Sequence, residues 1–224
     1  MTAERTKLQF STSLSGQASC SISGMRAHLP WTVAVGASGR EGLQDLCILL
    51  HEWPSLDAVV MIVLHRPWTA ISHLREVLQK YSRMPVIIAD EDEQLRSGHV
   101  YIGEPANHLT LISRTVGTVS FDPDRMHGNR TVDLLFNSLA EFGGMRIIGI
   151  VLAGSLDDGS HGLAAINKAG GKAMVITLSK SLSGMPGMPE NAISYDGPVD
   201  VIGDIQMIAR AVENTISDGS SSGG

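Results

Sequence analysis

The chain has 224 residues, 43% of them hydrophobic, and a formal net charge of −6 with 17 basic residues that form no cluster. This length and composition fit one large α/β domain with a buried core. The charge disfavours nucleic acid or an anionic membrane as a partner and favours a small molecule or a protein.

The sequence carries no sign of export or membrane insertion. Its two cysteines, Cys20 and Cys47, allow at most one disulfide, and no CxxC or HExxH pattern indicates a metal site. No apolar run approaches the length of a membrane span, and the N-terminus lacks a basic region followed by an apolar core. We therefore predict a cytoplasmic protein.

Both ends of the chain are predicted to be flexible. Residues 1–30 are rich in serine and threonine and have no sustained helical or strand period, which is typical of a mobile arm. Residues 217–224 are serines, glycines and one aspartate, a composition typical of a flexible tail. The folded domain is therefore expected over residues 31–216.

The first predicted element is an apolar strand at residues 32–35, which ends in a turn of small residues and continues as a helix over about 40–50. Ser38 lies in this turn, where the unpaired N–H groups and the dipole of a new helix favour an anion or a developing oxyanion. Three interpretations of Ser38 are open at this point. It is a helix cap, a part of a glycine-rich dinucleotide loop, or a nucleophile.

Strand-like and helical segments alternate along the rest of the chain. Strands are predicted at 57–64, 86–88, 146–153 and 173–176, those at 57–64 and 146–153 as buried ones, and helices at 71–81, 131–142, 162–169 and 202–216. Three short runs at 99–103, 109–112 and 118–121 are separated by turn residues and predict hairpins. The order predicts an α/β fold with a doubly wound, mainly parallel sheet flanked by helices, a Rossmann-like three-layer arrangement, and a small antiparallel excursion.

Polar residues follow the ends of three predicted strands. In sheets of this kind ligands bind at the carboxyl ends of the strands, and Ser38, His65 and Asp158 all lie at or just beyond such ends. A hydroxyl nucleophile needs a base to take its proton and a carboxylate to orient that base. Each residue also has a structural explanation, as a cap, a histidine bonded to a carbonyl, or a turn former. Asp157 competes with Asp158 for the acid's role, and His161 is near enough in sequence to enter the same crevice.

A dinucleotide-dependent reductase would use Gly36, Gly39 and Gly42 as its phosphate loop. That interpretation expects an acidic residue near the end of the second strand, where the sequence is Leu64-His65-Arg66-Pro67. No tyrosine has a lysine four residues later in the chain. The sequence therefore disfavours the reductase.

Several short segments occur in a specific order and spacing. They are the Gly36-Ala37-Ser38 turn, His65 after an apolar strand, Gly98-His99-Val100-Tyr101-Ile102, Thr131-Val132-Asp133-Leu134-Leu135-Phe136, the turn from Gly154 to Gly159, and Gly187-Met188-Pro189 followed by Ala192-Ile193. Together they resemble the catalytic domain of the bacterial chemotaxis protein-glutamate methylesterases (CheB-type). The resemblance extends over residues 33–216.

The resemblance implies that Ser38 is the nucleophile, His65 the general base and Asp158 the acid that orients it. It implies hydrolysis of glutamate γ-methyl esters on methyl-accepting chemotaxis receptors with release of methanol, and many members also deamidate receptor glutamines. No metal or organic cofactor is implied. The resemblance further assigns a substrate and oxyanion neighbourhood that consists of Gly39, Arg40, Ser155 and Met188.

The chain departs from the usual family pattern beside these residues. Gly39-Arg40-Glu41 stands where the family has Thr-Gly-Gly, Leu64 stands for a glutamine, and Ser155 for the methionine of a Gly-Met-Gly turn. These differences support an alternative, a catalytically weakened or inactive relative that serves as a protein- or ligand-binding module. Family members usually carry an N-terminal receiver domain, and the short arm before residue 31 predicts activity that no attached receiver gates.

Overall fold

The computed structural model of this protein describes residues 30–66, 72–122, 130–177 and 186–221. The predicted arm, apart from residue 30, and residues 222–224 of the predicted tail lie outside these ranges. Across the described ranges, every helix falls short of the length or the hydropathy that a membrane span requires.

The described elements alternate between strands and helices along the chain. The strands are β1 (Trp31–Ser38), β2 (Ala58–His65), β3 (Val86–Ile88), β4 (Glu93–Gln94), β5 (His99–Ile102), β6 (Asn107–Ser113), β7 (Val116–Phe121), β8 (Ile147–Val151), β9 (Lys172–Ile176) and β10 (Val201–Gly203). The helices are α1 (Gly39–Glu52), α2 (Leu74–Tyr81), α3 (Thr131–Phe142), α4 (Ser160–Lys168), α5 (Met188–Ser194) and α6 (Ile205–Ser221).

The main sheet has seven strands in the order β10-β9-β8-β1-β2-β5-β3, and its paired strands are parallel. The predicted doubly wound sheet is therefore confirmed. The chain first builds outward from β1 through β2 and later returns to add β8 on the other side of β1. This reversal makes the carboxyl end of β1 the topological switch point, the place where ligands bind in such folds.

The small antiparallel sheet consists of β4, β7 and β6, and the hairpin predicted for 109–112 and 118–121 is confirmed. The hairpin prediction was wrong for 99–103. This run forms β5, which lies between β2 and β3 and is parallel to both. Val100, Tyr101 and Ile102 are buried there, since β5 is an inner strand of the main sheet.

The end of the chain also differs from the prediction. Residues 201–203 form the edge strand β10, so the helix predicted from residue 202 begins only at Ile205. That helix, α6, continues to Ser221 and so enters the segment for which composition predicts a flexible tail. The short helix α5 has no counterpart in the sequence prediction.

Each face of the main sheet has its own apolar core. One face, which includes Val33 and Val35 of β1, packs against α1, α2 and α6. The other face packs against α3, α4 and α5, and its buried residues include Ala34 of β1 and Met61 of β2. Because side chains alternate along a strand, Ser38 projects on the same face as Ala34, toward α3.

Candidate active site

Ser38 and His65 are the last residues of two neighbouring parallel strands and are direct register partners. Paired strands lie about 4.8 Å apart, and register partners in a parallel pair project toward the same face. His65 shares the face of Met61, and Ser38 the face of Ala34, so both side chains lie on the α3 side. The sheet therefore brings together the predicted nucleophile and the predicted base.

The backbone turns sharply directly after Ser38. Ser38 is extended, with φ −143° and ψ 143°, whereas Gly39 has φ +70°, a left-handed conformation that glycine adopts without strain. Within the described part of the chain, the Ser38 side chain makes no capping hydrogen bond to α1. The geometry therefore does not support the cap interpretation, and the hydroxyl is available for other interactions.

His65 contacts Asp158 through its Nε2 atom. This nitrogen lies 2.7 Å from Asp158 Oδ2, and the exposed fractions of the two side chains are 15% and 1%. Because an ionised carboxylate only accepts hydrogen bonds, we assign the ring proton to Nε2, which leaves Nδ1 as the acceptor. The competing residue, Asp157, is exposed and pairs with Arg130 at 3.4 Å. Of the two neighbouring aspartates, Asp158 is the one that contacts His65.

The first turn of α3 holds the Asp158 carboxylate. The backbone N–H of Val132 donates to Oδ2 and that of Asp133 donates to Oδ1, both at 2.8 Å. These are N–H groups that have no acceptor within their own helix, and the positive end of the helix dipole favours a carboxylate there. The buried negative charge is thus compensated by two hydrogen bonds and by the imidazole.

Thr131, the first residue of α3, is a site residue that the sequence analysis did not single out. Its Oγ1 lies 2.9 Å from His65 Nε2, so this nitrogen faces both Thr131 and Asp158. The sequence signals are a hydroxyl residue at the start of a predicted helix and its place at the head of a segment that carries the family resemblance.

Gly154, which follows β8, packs against both Ser38 and Met188. A Cβ atom at Gly154 would lie 2.7 Å from the Ser38 Cβ and would overlap the Met188 Sδ. Met188 is fully buried, and its N–H donates to the Gly154 carbonyl at 2.9 Å. A side chain at residue 154 would therefore displace Ser38 or Met188.

The remaining predicted neighbours are on the surface. Gly39 and Arg40 lie exposed at the start of α1, beside exposed Glu41, and Ser155 is exposed in the loop after β8. His161 does not join His65 among the described contacts. Its Nδ1 lies 3.1 Å from the Tyr195 hydroxyl, and the two rings pack together.

Two further aspartates stabilise the segments around the site. Asp133 accepts the Gly162 N–H at 2.7 Å and an Arg130 N–H at 3.2 Å. Burial raises the pKa of Asp133, and nearby Asp158 raises it further, while these hydrogen bonds act in the opposite direction. Asp45 of α1 accepts the N–H of Ala153 at 3.2 Å, and burial raises the pKa of Asp45 as well.

Comparisons with known proteins agree with this architecture. The family model described as CheB methylesterase matches residues 33–212. A protein of Trichodesmium erythraeum named protein-glutamate methylesterase/protein-glutamine glutaminase is 33% identical over 166 residues, which are 71% of this chain and 47% of that protein. A protein of Photorhabdus laumondii with the same name is 31% identical over 192 residues, 84% of this chain and 53% of its own. The chain spans about half the length of these curated relatives.

A solved structure has the same fold. The catalytic domain of Thermotoga maritima CheB methylesterase superposes with a TM-score of 0.70 and 23% identity, covering 83% of this chain and 98% of that domain. The family match also confirms the resemblance inferred from the sequence segments. Because the family model covers most of the chain, this protein belongs to the CheB methylesterase family.

Proposed function

We propose that this protein hydrolyses γ-methyl esters of glutamate side chains on methyl-accepting chemotaxis receptors, with Ser38 as nucleophile, His65 as general base and Asp158 as orienting acid. The proposal rests on the arrangement of Ser38, His65 and Asp158. His65 is the register partner of Ser38 in the sheet, and its Nε2 lies 2.7 Å from a buried carboxylate. Acyl transfer by a hydroxyl nucleophile requires a base beside the nucleophile and an acid that orients this base.

In the first step, the Ser38 oxygen attacks the ester carbonyl while His65 Nδ1 takes the hydroxyl proton. The imidazolium that forms is stabilised by Asp158, which is held in place by the Val132 and Asp133 N–H groups. His65 then gives this proton to the departing methoxide oxygen. Methanol leaves, and the glutamyl group remains esterified to Ser38.

In the second step, water attacks the acyl group while His65 takes its proton. His65 then gives this proton to the departing Ser38 oxygen, which regenerates Ser38 and releases the glutamate side chain as its carboxylic acid, which ionises in water. Both steps develop negative charge on the former carbonyl oxygen, which preorganised N–H donors stabilise. The backbone N–H groups of Gly39, at the start of α1, and of Ser155 are the donors that we assign to this role. A glutamine side chain would follow the same path with ammonia as the leaving group, in keeping with the double name of the relatives.

The proposed partner is a receptor segment that presents the modified glutamate at the carboxyl edge of the sheet. Neither nucleic acid nor insertion into a membrane has a part in this proposal. The cytoplasmic location stays a prediction from the sequence.

The test is turnover and covalent labelling of the purified chain. We expect methanol release from a methylated receptor fragment, and a fluorophosphonate that modifies Ser38, as located by peptide mass spectrometry. Both signals should be lost in His65→Ala. They should persist in His99→Ala. His99 bonds the Ser97 carbonyl and is the first residue of β5, so it lies at the amino ends of the parallel strands, whereas Ser38 and His65 lie at their carboxyl ends. A folded chain that neither releases methanol nor reacts at Ser38 would favour the binding module instead.

A further inference from the structure

The loop between β8 and α4 carries both Ser155 and Asp158, and its two ends are fixed. At one end Gly154 packs against Ser38, and at the other the Asp158 carboxylate accepts N–H groups from α3. The middle residues, 155–157, are exposed. What holds this middle part therefore affects the geometry of the site.

Leu156, at the centre of the loop, has a left-handed backbone with φ +72°. In this conformation the Cβ of an L-residue approaches its own carbonyl oxygen, so glycine or asparagine is the usual occupant. Among the described residues, Asp92 is the only other non-glycine with positive φ. The Leu156 side chain is 53% exposed, so its burial gives little compensation for the strain.

Asn191 of α5 donates a hydrogen bond from Nδ2 to the Leu156 carbonyl at 2.8 Å. The donor stands on a well-anchored helix. The Met188 N–H bonds the Gly154 carbonyl, and the Glu190 carboxylate accepts the Gly187 N–H, both at 2.9 Å. The same helix therefore binds the loop at two carbonyls, Gly154 and Leu156.

Among the described residues, the other side-chain contact to the middle of the loop is weaker. Arg130 reaches Asp157 at 3.4 Å, and both side chains are more than half exposed, so solvent screens the pair. An ion pair between side chains also does not fix the torsion of the neighbouring backbone. The bond from Asn191 is made to the carbonyl of Leu156 itself.

We propose that Asn191 is a positioning residue that keeps Leu156 in its left-handed conformation and thereby holds Ser155 and Asp158 in place relative to Ser38 and His65. This inference rests on the proposed function. Asn191 acts through the loop and does not contact the ester. Its removal is therefore expected to lower kcat more than it changes KM.

The central variant is Asn191→Asp, which keeps the size of the side chain but replaces the amide donor by a carboxylate that repels the Leu156 carbonyl. We expect kcat for methanol release to fall about tenfold with KM within about twofold, the scale of a misplaced catalytic group. Asn191→Ala, which removes the donor without adding a charge, should also lower kcat, and Leu156→Gly should restore kcat in the Asn191→Ala/Leu156→Gly double variant, because glycine adopts positive φ without this hydrogen bond. The matched control is Ser194→Ala, on the same helix, whose hydroxyl bonds only the Glu190 carbonyl among the described groups and whose loss should leave kcat unchanged.

Wild-type kcat in Asn191→Asp, or no recovery in the double variant, would overturn the role of Asn191. Backbone NMR gives a second readout that needs no turnover, since residues 155–157 should gain fast motion in Asn191→Asp and not in Ser194→Ala. If the wild-type chain proves inactive, the proposed function fails. Unchanged loop dynamics in Asn191→Asp would separately refute the positioning role of Asn191.

Discussion

Asp158 contacts His65 through the same carboxylate oxygen that accepts the Val132 N–H. Oδ2 lies 2.7 Å from His65 Nε2 and 2.8 Å from the Val132 nitrogen. One buried side chain therefore both caps α3 and orients the imidazole. Changes to Asp158 should affect the stability of the fold and the activity of the site together.

Asp158→Asn should lose both functions. Three donors, from His65, Val132 and Asp133, share the two carboxylate oxygens of Asp158. An asparagine amide has only one oxygen to accept them, and its NH₂ group would face another donor. We expect a loss of about 1–3 kcal/mol in the free energy of unfolding, measured in denaturant, from unsatisfied buried groups. We also expect kcat to fall about 10⁴-fold, the scale of an acid-to-amide change behind a catalytic histidine.

The control is Asp157→Asn, an isosteric change at the exposed neighbouring residue. It should shift the free energy of unfolding by less than about 0.5 kcal/mol. Equal effects of the two variants would contradict the role assigned to Asp158.

Ser38→Ala should separate activity from stability. The Ser38 hydroxyl makes no capping hydrogen bond to α1 in the described structure, so the free energy of unfolding should stay within about 0.5 kcal/mol of wild type. Methanol release should fall by at least about a thousandfold, as expected for a lost nucleophile. Ser97→Ala, which removes an exposed hydrogen bond to Asp57, should change neither quantity much. Turnover that survives in Ser38→Ala would refute the assignment of the nucleophile.

Gly154→Ala should damage the site through crowding. The new methyl group would lie 2.7 Å from the Ser38 Cβ and would overlap buried Met188. We expect a destabilisation of about 1–3 kcal/mol, typical of overpacking. The rate of fluorophosphonate labelling should drop at least about tenfold, because Ser38 is displaced.

Gly98→Ala is a useful comparison for this variant. Gly98 has φ +74°. A Cβ atom added there would have the Leu56 carbonyl oxygen as its nearest neighbour, at 3.9 Å. Alanine there should cost about 1–2 kcal/mol through the backbone alone. Labelling at the wild-type rate in Gly98→Ala but not in Gly154→Ala would separate site damage from general destabilisation.

Asp133→Asn should change how stability depends on pH. Burial raises the pKa of Asp133 above its ordinary value of 3.8, so the folded state holds this proton more tightly than the unfolded chain does. As the pH rises from below 3.8 through the raised pKa, the wild type therefore loses stability relative to Asp133→Asn. The asparagine oxygen still accepts the Gly162 N–H.

The measurement is the free energy of unfolding of both proteins across this pH range. The free energy of unfolding of Asp133→Asn minus that of the wild type should increase with pH and then level off at neutral pH. A difference that falls as the pH rises would show that the hydrogen bonds from Gly162 and Arg130, rather than burial, dominate the titration of Asp133.

The sequence predicts much of the fold because its buried strands are continuous apolar runs and its helices repeat at 3.6 residues. Ser38 and His65 were identified because they follow such runs, and the carboxyl ends of parallel strands converge. Their direct pairing in register depends on hydrogen bonding in the sheet, which local pattern does not encode. For the same reason, the four-residue run of β5 did not reveal its parallel partners.

The local pattern leaves the choice between Asp157 and Asp158 open, and at the sequence level only the family resemblance favours Asp158. Two adjacent aspartates in a turn have the same local pattern, and what distinguishes them is the start of α3, 26 residues away from Asp158 at Val132. Likewise, a leucine gives no local indication of positive φ. The hydrogen bond to the Leu156 carbonyl comes from Asn191, 35 residues further along the chain.

The register between β1 and β2 has a consequence for the order in which the molecule comes apart. Ser38 and His65 end adjoining strands deep in the sheet, whose amide protons should exchange slowly with solvent. The exposed residues 155–157, by contrast, should open at a much lower free energy. Gentle heating should therefore lower the proposed esterase activity by loosening residues 155–157, which precede Asp158, while Ser38 and His65 remain paired in the sheet.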